Sequence, residues 1–444
     1  MHKTLIAAAL ATAFATNAFA DSDRHGSMAF DPISGSAYAE TTSDPAILNS
    51  EPWIIPDGYT QKIISDESNL NIYRNGDGSE VADWPDMNTV NETGKHAGRY
   101  MYRTHEVRPG VVTPFTGGVI SVIDLKTKET KIVAQRADWE ALDGIVWTPW
   151  RTVLFAEETI TAQLPDPDVP AATSGLLYEL ELDKHDLTKA KKVSVRPLLG
   201  SLSHEGIELD AEGNVYVIDE DRKGAIYKFV PETYGDLSKG QLHALRVKNG
   251  AKTGEAEWVA LDMAQVQVSA RVAAAAVGAT PFCRPEDLER IGHTLYAALT
   301  CEDVANPANT SGAGAVLSIT LGKTPKVSYF VAHGVNVVKE DKLNQVSGFK
   351  SPDNLAKGPD GRLWIVEDNV PSDIWVAEPD LDGDGYSDKV SLFASLKDKG
   401  AEGSGIYFGK DPHTLYVNVQ HSVTKNDKTM AISNRHDGDD DHDD

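Results

Sequence analysis

His204 to Asp221 reads HEGIELDAEGNVYVIDED. It opens on a polar and acidic pair, runs through a short apolar strand, turns on Ala211-Glu212-Gly213-Asn214, and returns through a β-branched and aromatic strand to Glu220-Asp221. Two short strands around such a turn are a β-hairpin. The same grammar recurs at Leu142 to Thr159, Arg284 to Asp303, Pro352 to Asn369 and Glu402 to His421. Most copies are followed by a further strand pattern, as in Gly175 to Leu180, Gly224 to Phe229, Gly314 to Ile319 and Asp373 to Ala377. A hairpin with outer strands is a four-stranded blade, and blades repeating at roughly 50 residues indicate a β-propeller. His96 to Glu106 followed by Gly118 to Ile123 supplies a degenerate first copy. The expected fold is therefore all-β, a six-bladed β-propeller.

The final copy lacks obvious outer strands, because the chain after His421 turns polar and ends in an Asp/His run. Tyr59 to Ile64 alternates like a strand with no partner of its own. A ring has to close, and an N-terminal strand completing the last blade removes its exposed edge. One helix is expected, over the Ala-rich Asp262 to Val277, inside an insertion at about 232–281 on one face of the disc. The chemistry is expected on the other face or in the channel. The division is then residues 21–424 as one propeller domain and 425–444 as a disordered acidic tail.

The 444-residue chain carries 67 Asp and Glu against 42 Lys and Arg, a formal net charge of −25. Such a field repels polyanions, which argues against nucleic acid and for cations. Residues 1–20 combine Lys3, an apolar stretch from Leu5 to Phe14 and Ala18-Phe19-Ala20 before Asp21, the pattern of a cleaved export signal. No later apolar run reaches the length of a membrane span. A periplasmic or secreted product starting at Asp21 is expected, in a compartment that permits Cys283 and Cys301 to pair.

Innermost strands of a propeller line a central channel, so residues at matching repeat positions come round it as a ring. Here those positions are acidic: Asp143, Glu157 and Glu158; Glu205, Glu220 and Asp221; Glu286, Asp287, Glu302 and Asp303; Asp353, Glu367 and Asp368; Glu402. Carboxylates that close need counter-charge. Oxygen donors in that number suit Ca²⁺, and iron or manganese also fit; solvated turn acids, or acids paired with Arg99, Arg222 and Arg284, are the alternative. Glu157, Glu205, Glu286, Asp353, Glu367 and Glu402 are the expected channel ligands. Separately, Asp380-Leu381-Asp382-Gly383-Asp384-Gly385-Tyr386-Ser387-Asp388 has the opening of a calcium loop, but Ser391 stands where an EF-hand has its bidentate Glu. Asp380, Asp382, Asp384 and Asp388 are expected to hold a structural Ca²⁺ in a hairpin.

Several motifs in order, Tyr102-Arg103-Thr104-His105-Glu106, Thr148-Pro149-Trp150-Arg151-Thr152, Ser203-His204-Glu205-Gly206, Arg284-Pro285-Glu286-Asp287, Pro352-Asp353-Asn354-Leu355 and Val419-Gln420-His421, resemble the PhoX-type alkaline phosphatases from about Tyr59 to His421. The resemblance implies an exported six-bladed propeller that hydrolyses phosphate monoesters with a calcium-dependent cluster containing iron, held by Glu, Asp and a Cys. The family pattern Thr-Cys-Glu-Glu is here Phe155-Ala156-Glu157-Glu158, so Ala156 stands at the cysteine. Cys301 either brings a thiolate to the channel from another blade or pairs with Cys283 across its own hairpin, as export and the spacing favour. The remaining expected roles are His204 as proton donor or as a support for Glu205, Arg284 as charge clamp, and Asn354 orienting a water. A calcium-dependent lactonase or esterase, and a non-catalytic metal-binding propeller, are alternatives that the same acids allow.

Overall fold

The computed structural model describes residues 28–70, 83–108, 117–333 and 348–434. The expected leader and the terminal Asp/His run from 435 lie outside these residues.

The 204–221 stretch folds as an antiparallel hairpin, Ile207–Leu209 against Val215–Ile218, with Ile207 opposite Val217. Asp210 closes its turn, accepting from the N–H groups of Glu212 at 3.1 Å and Asn214 at 2.9 Å. Gly213 sits at φ +81°, a left-handed value that glycine adopts without a Cβ clash. Ile226–Thr233 and Asp236–Val247 extend the sheet outward. Gly254–Ala260 follows, and two of its residues also pair with Lys326–Ala332 of the next stack, so two stacks merge into one nine-stranded sheet. The stretch 232–281 therefore begins as outer sheet, up to Ala260, rather than being an insertion throughout, and among its residues the helix Met263–Ala276 is what leaves the blade. Its strands look like an excursion in sequence because they run well past the length of the inner hairpin.

Among the described residues six innermost strands form the ring: Pro85–Val90, Leu142–Trp147, Ile207–Leu209, Pro285–Ile291, Pro352–Lys357 and Glu402–Phe408. Each packs on the next, and the last returns to the first. The architecture is a β-propeller. Its inner strands approach so closely that a Cβ on Gly144 would lie 1.7 Å from the Glu205 carbonyl oxygen, so only glycine fits there. Apolar side chains fill the wedges between stacks, with Trp139, Trp364 and Trp375 fully buried. Trp147 is core as well, whereas Trp150 is half-buried and meets Tyr234 edge-on.

The helix is capped by Asp262, which accepts from Ala264 N–H, and is interrupted at Ser269, where φ −163° and ψ 102° are extended. At the break Ala270 N–H donates to Ser201 O, and Val268 O accepts from Thr173 N–H, so neighbouring loops satisfy the released backbone groups. Arg271 then forks onto buried Asp219, next to Glu220. The helix thus lies at the acidic end of the channel, not on the face away from it as the sequence suggested. A buried carboxylate needs a counter-charge, and the helix carries it there.

Thr60–Asp66 pairs antiparallel with Lys428–Ser433, from Thr60 opposite Ser433 to Asp66 opposite Lys428, and completes the last blade as expected. The partner corrects the expectation of a disordered tail from residue 425, since Lys428–Ser433 is a strand of the blade. Lys428 and Thr429 are fully buried yet satisfied: Lys428 Nζ donates to Leu48 O and Asn49 Oδ1, and Thr429 donates to Asn418 Oδ1. Polar side chains paired this way leave Met430 and Ile432 to fill the core.

Ile432→Ala is expected to lower the unfolding free energy by about 2–5 kcal/mol in denaturant titration. Deleting residues 59–66 should expose the Lys428–Ser433 edge and cause self-association, visible by light scattering.

Candidate metal centre

The second strand of several hairpins ends in two consecutive acidic positions, and the structure gives the two different work. Side chains alternate along a strand, so neighbours cannot face the same way. The first acid turns into its own blade and holds the segment that enters the innermost strand. Glu157 accepts from Glu140 N–H at 3.0 Å, Asp219 from Ser203 N–H at 3.1 Å, Glu302 from Cys283 N–H at 3.0 Å, and Glu367 from Lys350 N–H at 2.7 Å. Glu157 also accepts from Leu176 N–H, and Glu367 from Trp375 Nε1. Burial pushes Glu157 up to about 8 and Glu367 well above the usual carboxylate range. Glu157 and Glu367, expected as channel ligands, are therefore backbone clamps. Asp287 and Asp303 are also spent on backbone N–H groups, of Leu288 and Leu355 and of Ala305 and Asn306.

In Glu158, Glu220 and Asp368 the second acid instead joins the acids at the start of the innermost strands. Glu158, Glu205 and Glu220 offer oxygens within 4.8 Å of one another, as do Glu205, Glu286 and Asp353. Glu205 is common to both trios. Of the expected ligands, Glu205, Glu286 and Asp353 are thus brought together, and Glu402 lies beside Asp368 at the rim of the same cluster. Burial first, then Glu286, Asp143, Glu220 and Asp353, raises Glu205 well above its ordinary value. Burial, then Glu286, Asp368 and Glu402, does the same to Asp353, while Glu286 is pushed up to about 7 by burial and Glu220. Asp86, Asp143 and Glu158 rise for the same reasons.

Three buried oxygens here, Glu205 Oε2, Glu286 Oε2 and Asp143 Oδ1, have no hydrogen-bond partner among the described residues. Orphaned carboxylate oxygens around one point are costly without a cation and are suitable ligands with one. The residues present therefore fit a metal centre. Its donors are oxygens: Cys283 and Cys301 form a disulfide, no free cysteine occurs, and Ala156 is buried among Leu154, Leu177 and Leu202.

Three further expected residues stand as follows. Arg284, at φ +45°, spans the cluster, with Nε to Glu220, Nη2 to Glu286 at 3.0 Å and Nη1 to Asp368 at 3.5 Å. His204 is fully buried, Nε2–H donates to Gly200 O at 2.9 Å, and burial lowers it to about 4. The ring is thus shut from solvent and held by a backbone carbonyl, directly before Glu205 in the chain. Asn354 is buried, accepts from Gly405 N–H at 2.6 Å and donates to Asp353 Oδ1 at 3.3 Å, so it ties adjacent inner strands together beside a cluster acid. In the outer loop Asp380, Asp382 and Asp388 converge, whereas Asp384 stays apart and accepts from Tyr386 N–H.

The site ligands chosen from sequence leave out Asp86, Glu106 and Arg108. Asp86 had a signal, since Pro85-Asp86-Met87-Asn88 echoes Pro352-Asp353-Asn354. Asp143, Glu158, Glu220 and Asp368 stand in the acidic repeat but outside the expected ligand set.

A carboxylate whose folded pKa is raised binds more protons in the folded than in the unfolded chain between its two pKa values. Folding stability therefore falls as pH rises through that window. The metal-free protein is expected to melt at a lower temperature at about pH 8 than at about pH 5, and added Ca²⁺ should narrow or reverse the difference in calorimetry.

The sequence from 145 to 422 matches the family described as Alkaline phosphatase PhoX. No curated protein sequence matches the chain. Among solved structures, Pseudomonas fluorescens PhoX in complex with vanadate, a transition state analogue, is similar at a TM-score of 0.65 and 18% identity, over 92% of this chain and 98% of that one. A catalytically inactive virginiamycin B lyase from Staphylococcus aureus with quinupristin is more distant, at a TM-score of 0.42 and 12% identity, over 84% of this chain and 98% of that one. With its family match spanning most of the ring, the chain belongs to the PhoX alkaline phosphatases.

Proposed function

We propose that this chain is an exported phosphatase that hydrolyses phosphate monoesters at an all-oxygen metal cluster in the propeller channel. The observation that carries the reading is the pair of trios sharing Glu205, with buried oxygens that lack partners. Family membership supports the phosphatase activity. Glu158, Glu205, Glu220, Glu286 and Asp353 would hold the ions, with Glu402 at the rim. Hard divalent cations such as Ca²⁺ suit carboxylate donors, and the lack of a thiol argues against a cysteine-bridged iron pair.

Bound cations would neutralise the non-bridging phosphoryl oxygens and polarise the attacking water. The chain's own residues do the rest. Arg284 keeps Glu220, Glu286 and Asp368 in place and carries positive charge at the channel mouth, where its side chain is about one-third exposed. The acids that surround it disfavour long polyanions, so a small phosphoester is the fitting substrate. Water adds to phosphorus as the ester P–O bond breaks, and the alcohol leaves with a proton. The Asp380 loop is assigned a structural Ca²⁺ outside this chemistry. The leader at 1–20 supports export to the periplasm or beyond, and the disulfide accords with such a compartment.

Glu205→Gln is expected to lower kcat/KM for an aryl phosphate by about 100-fold or more, and chelation to abolish turnover until Ca²⁺ is restored. Unchanged turnover in Glu205→Gln, or lactone cleavage without phosphate release, would overturn the reading. N-terminal sequencing of the exported protein should begin at Asp21.

A further inference from the structure

Arg108 follows the second strand of the first blade, Tyr100–His105, and no repeat pattern announces it. Its Nη2 is shared by Glu106 Oε1 at 3.0 Å and Glu158 Oε2 at 3.3 Å. Glu158 belongs to the trio with Glu205 and Glu220, and Glu220 is held by Arg284. The two guanidinium groups therefore each bind a different member of one trio. They differ in how they are used. Arg284 spends all three of its nitrogens on three carboxylates. Arg108 spends one, and its Nε and Nη1 have no partner among the described residues. Its side chain is 32% exposed, so the residue is accessible from solvent.

We propose that Arg108 is a substrate-binding residue that donates from its uncommitted N–H groups to a non-bridging oxygen of the phosphoryl group seated over the Glu158–Glu205–Glu220 trio. The inference rests on the phosphatase reading. A guanidinium is always charged, and N–H donors aimed at a phosphate oxygen make short, charge-assisted bonds. Anchoring Nη2 on Glu106 and Glu158 limits the rotamers that the long side chain would otherwise lose on binding. Neither carboxylate has to move for the remaining donors to engage.

The test compares wild type, Arg108→Gln and Arg108→Lys for aryl phosphate kinetics, inhibition by inorganic phosphate and by vanadate, and metal content. Arg108→Gln should raise KM and both inhibition constants about tenfold or more, with metal content unchanged and kcat within about threefold. Arg108→Lys, which keeps the charge but not the planar donor set, should fall between. An active wild type with KM and phosphate inhibition unchanged in both variants would overturn the role of Arg108. Loss of metal in Arg108→Gln, with KM restored by excess Ca²⁺, would make it a support for Glu158 and overturn the proposal equally. An inert wild type would instead refute the phosphatase reading itself.

Discussion

The mutual repulsion of the channel carboxylates is the constraint on which the rest of this structure turns. At about 5 Å and an effective dielectric of about 20, one like-charged pair costs about 3 kcal/mol, and a domain's whole stability is about 5–15 kcal/mol. Two trios of carboxylates, each within 4.8 Å, cannot all be ionised without compensation. The fold supplies some of it through Arg108, Arg271 and Arg284. Orphaned oxygens on Glu205, Glu286 and Asp143 show that the protein's own cations do not complete it. The ring makes this crowding achievable. Six inner strands packed edge to edge, with glycine at the tightest approach, hold the acids where a more pliable fold would let them separate.

Much of that ring was legible from the repeat grammar, because hairpin turns and strand alternation are local properties. The closing strand was legible too, since Thr60 to Ile64 alternates and a ring forbids a free edge. Its partner was not. Lys428 is buried only because Leu48 and Asn49, far away in sequence, accept its hydrogen bonds, and Thr429 because Asn418 on the neighbouring strand accepts its own. The acidic character of the site was visible as a repeat, but the choice within each pair was not. Whether Glu157 or Glu158 faces the axis depends on where the strand ends relative to the channel, and a shift of one residue reverses every side chain. Asp86 was readable from its echo of Asp353. Arg108 had no such signal, because its partner Glu158 comes from the neighbouring blade.

Ala156 and the disulfide together decide which atoms of this chain remain to face a cation. With a methyl packed in the core at one position and both sulfurs bonded to each other, no thiol is left to donate, and the donors of the two trios are carboxylate oxygens. The disulfide ties the segment just before Arg284 to the strand end just before Glu302, and so braces the arginine that spans three cluster acids. Sulfur here is a covalent strut beside the site.

The central claim is that cations, not shared protons, neutralise the channel acids. Diffraction from crystals of the Ca²⁺-loaded protein, with anomalous data to identify each ion, tests it most directly. The account predicts ions in contact with Glu205 and with Glu286 and Asp353, all ligands oxygen at about 2.3–2.6 Å. A channel free of ions, with those carboxylates hydrogen-bonded to one another at full calcium occupancy elsewhere, would contradict it.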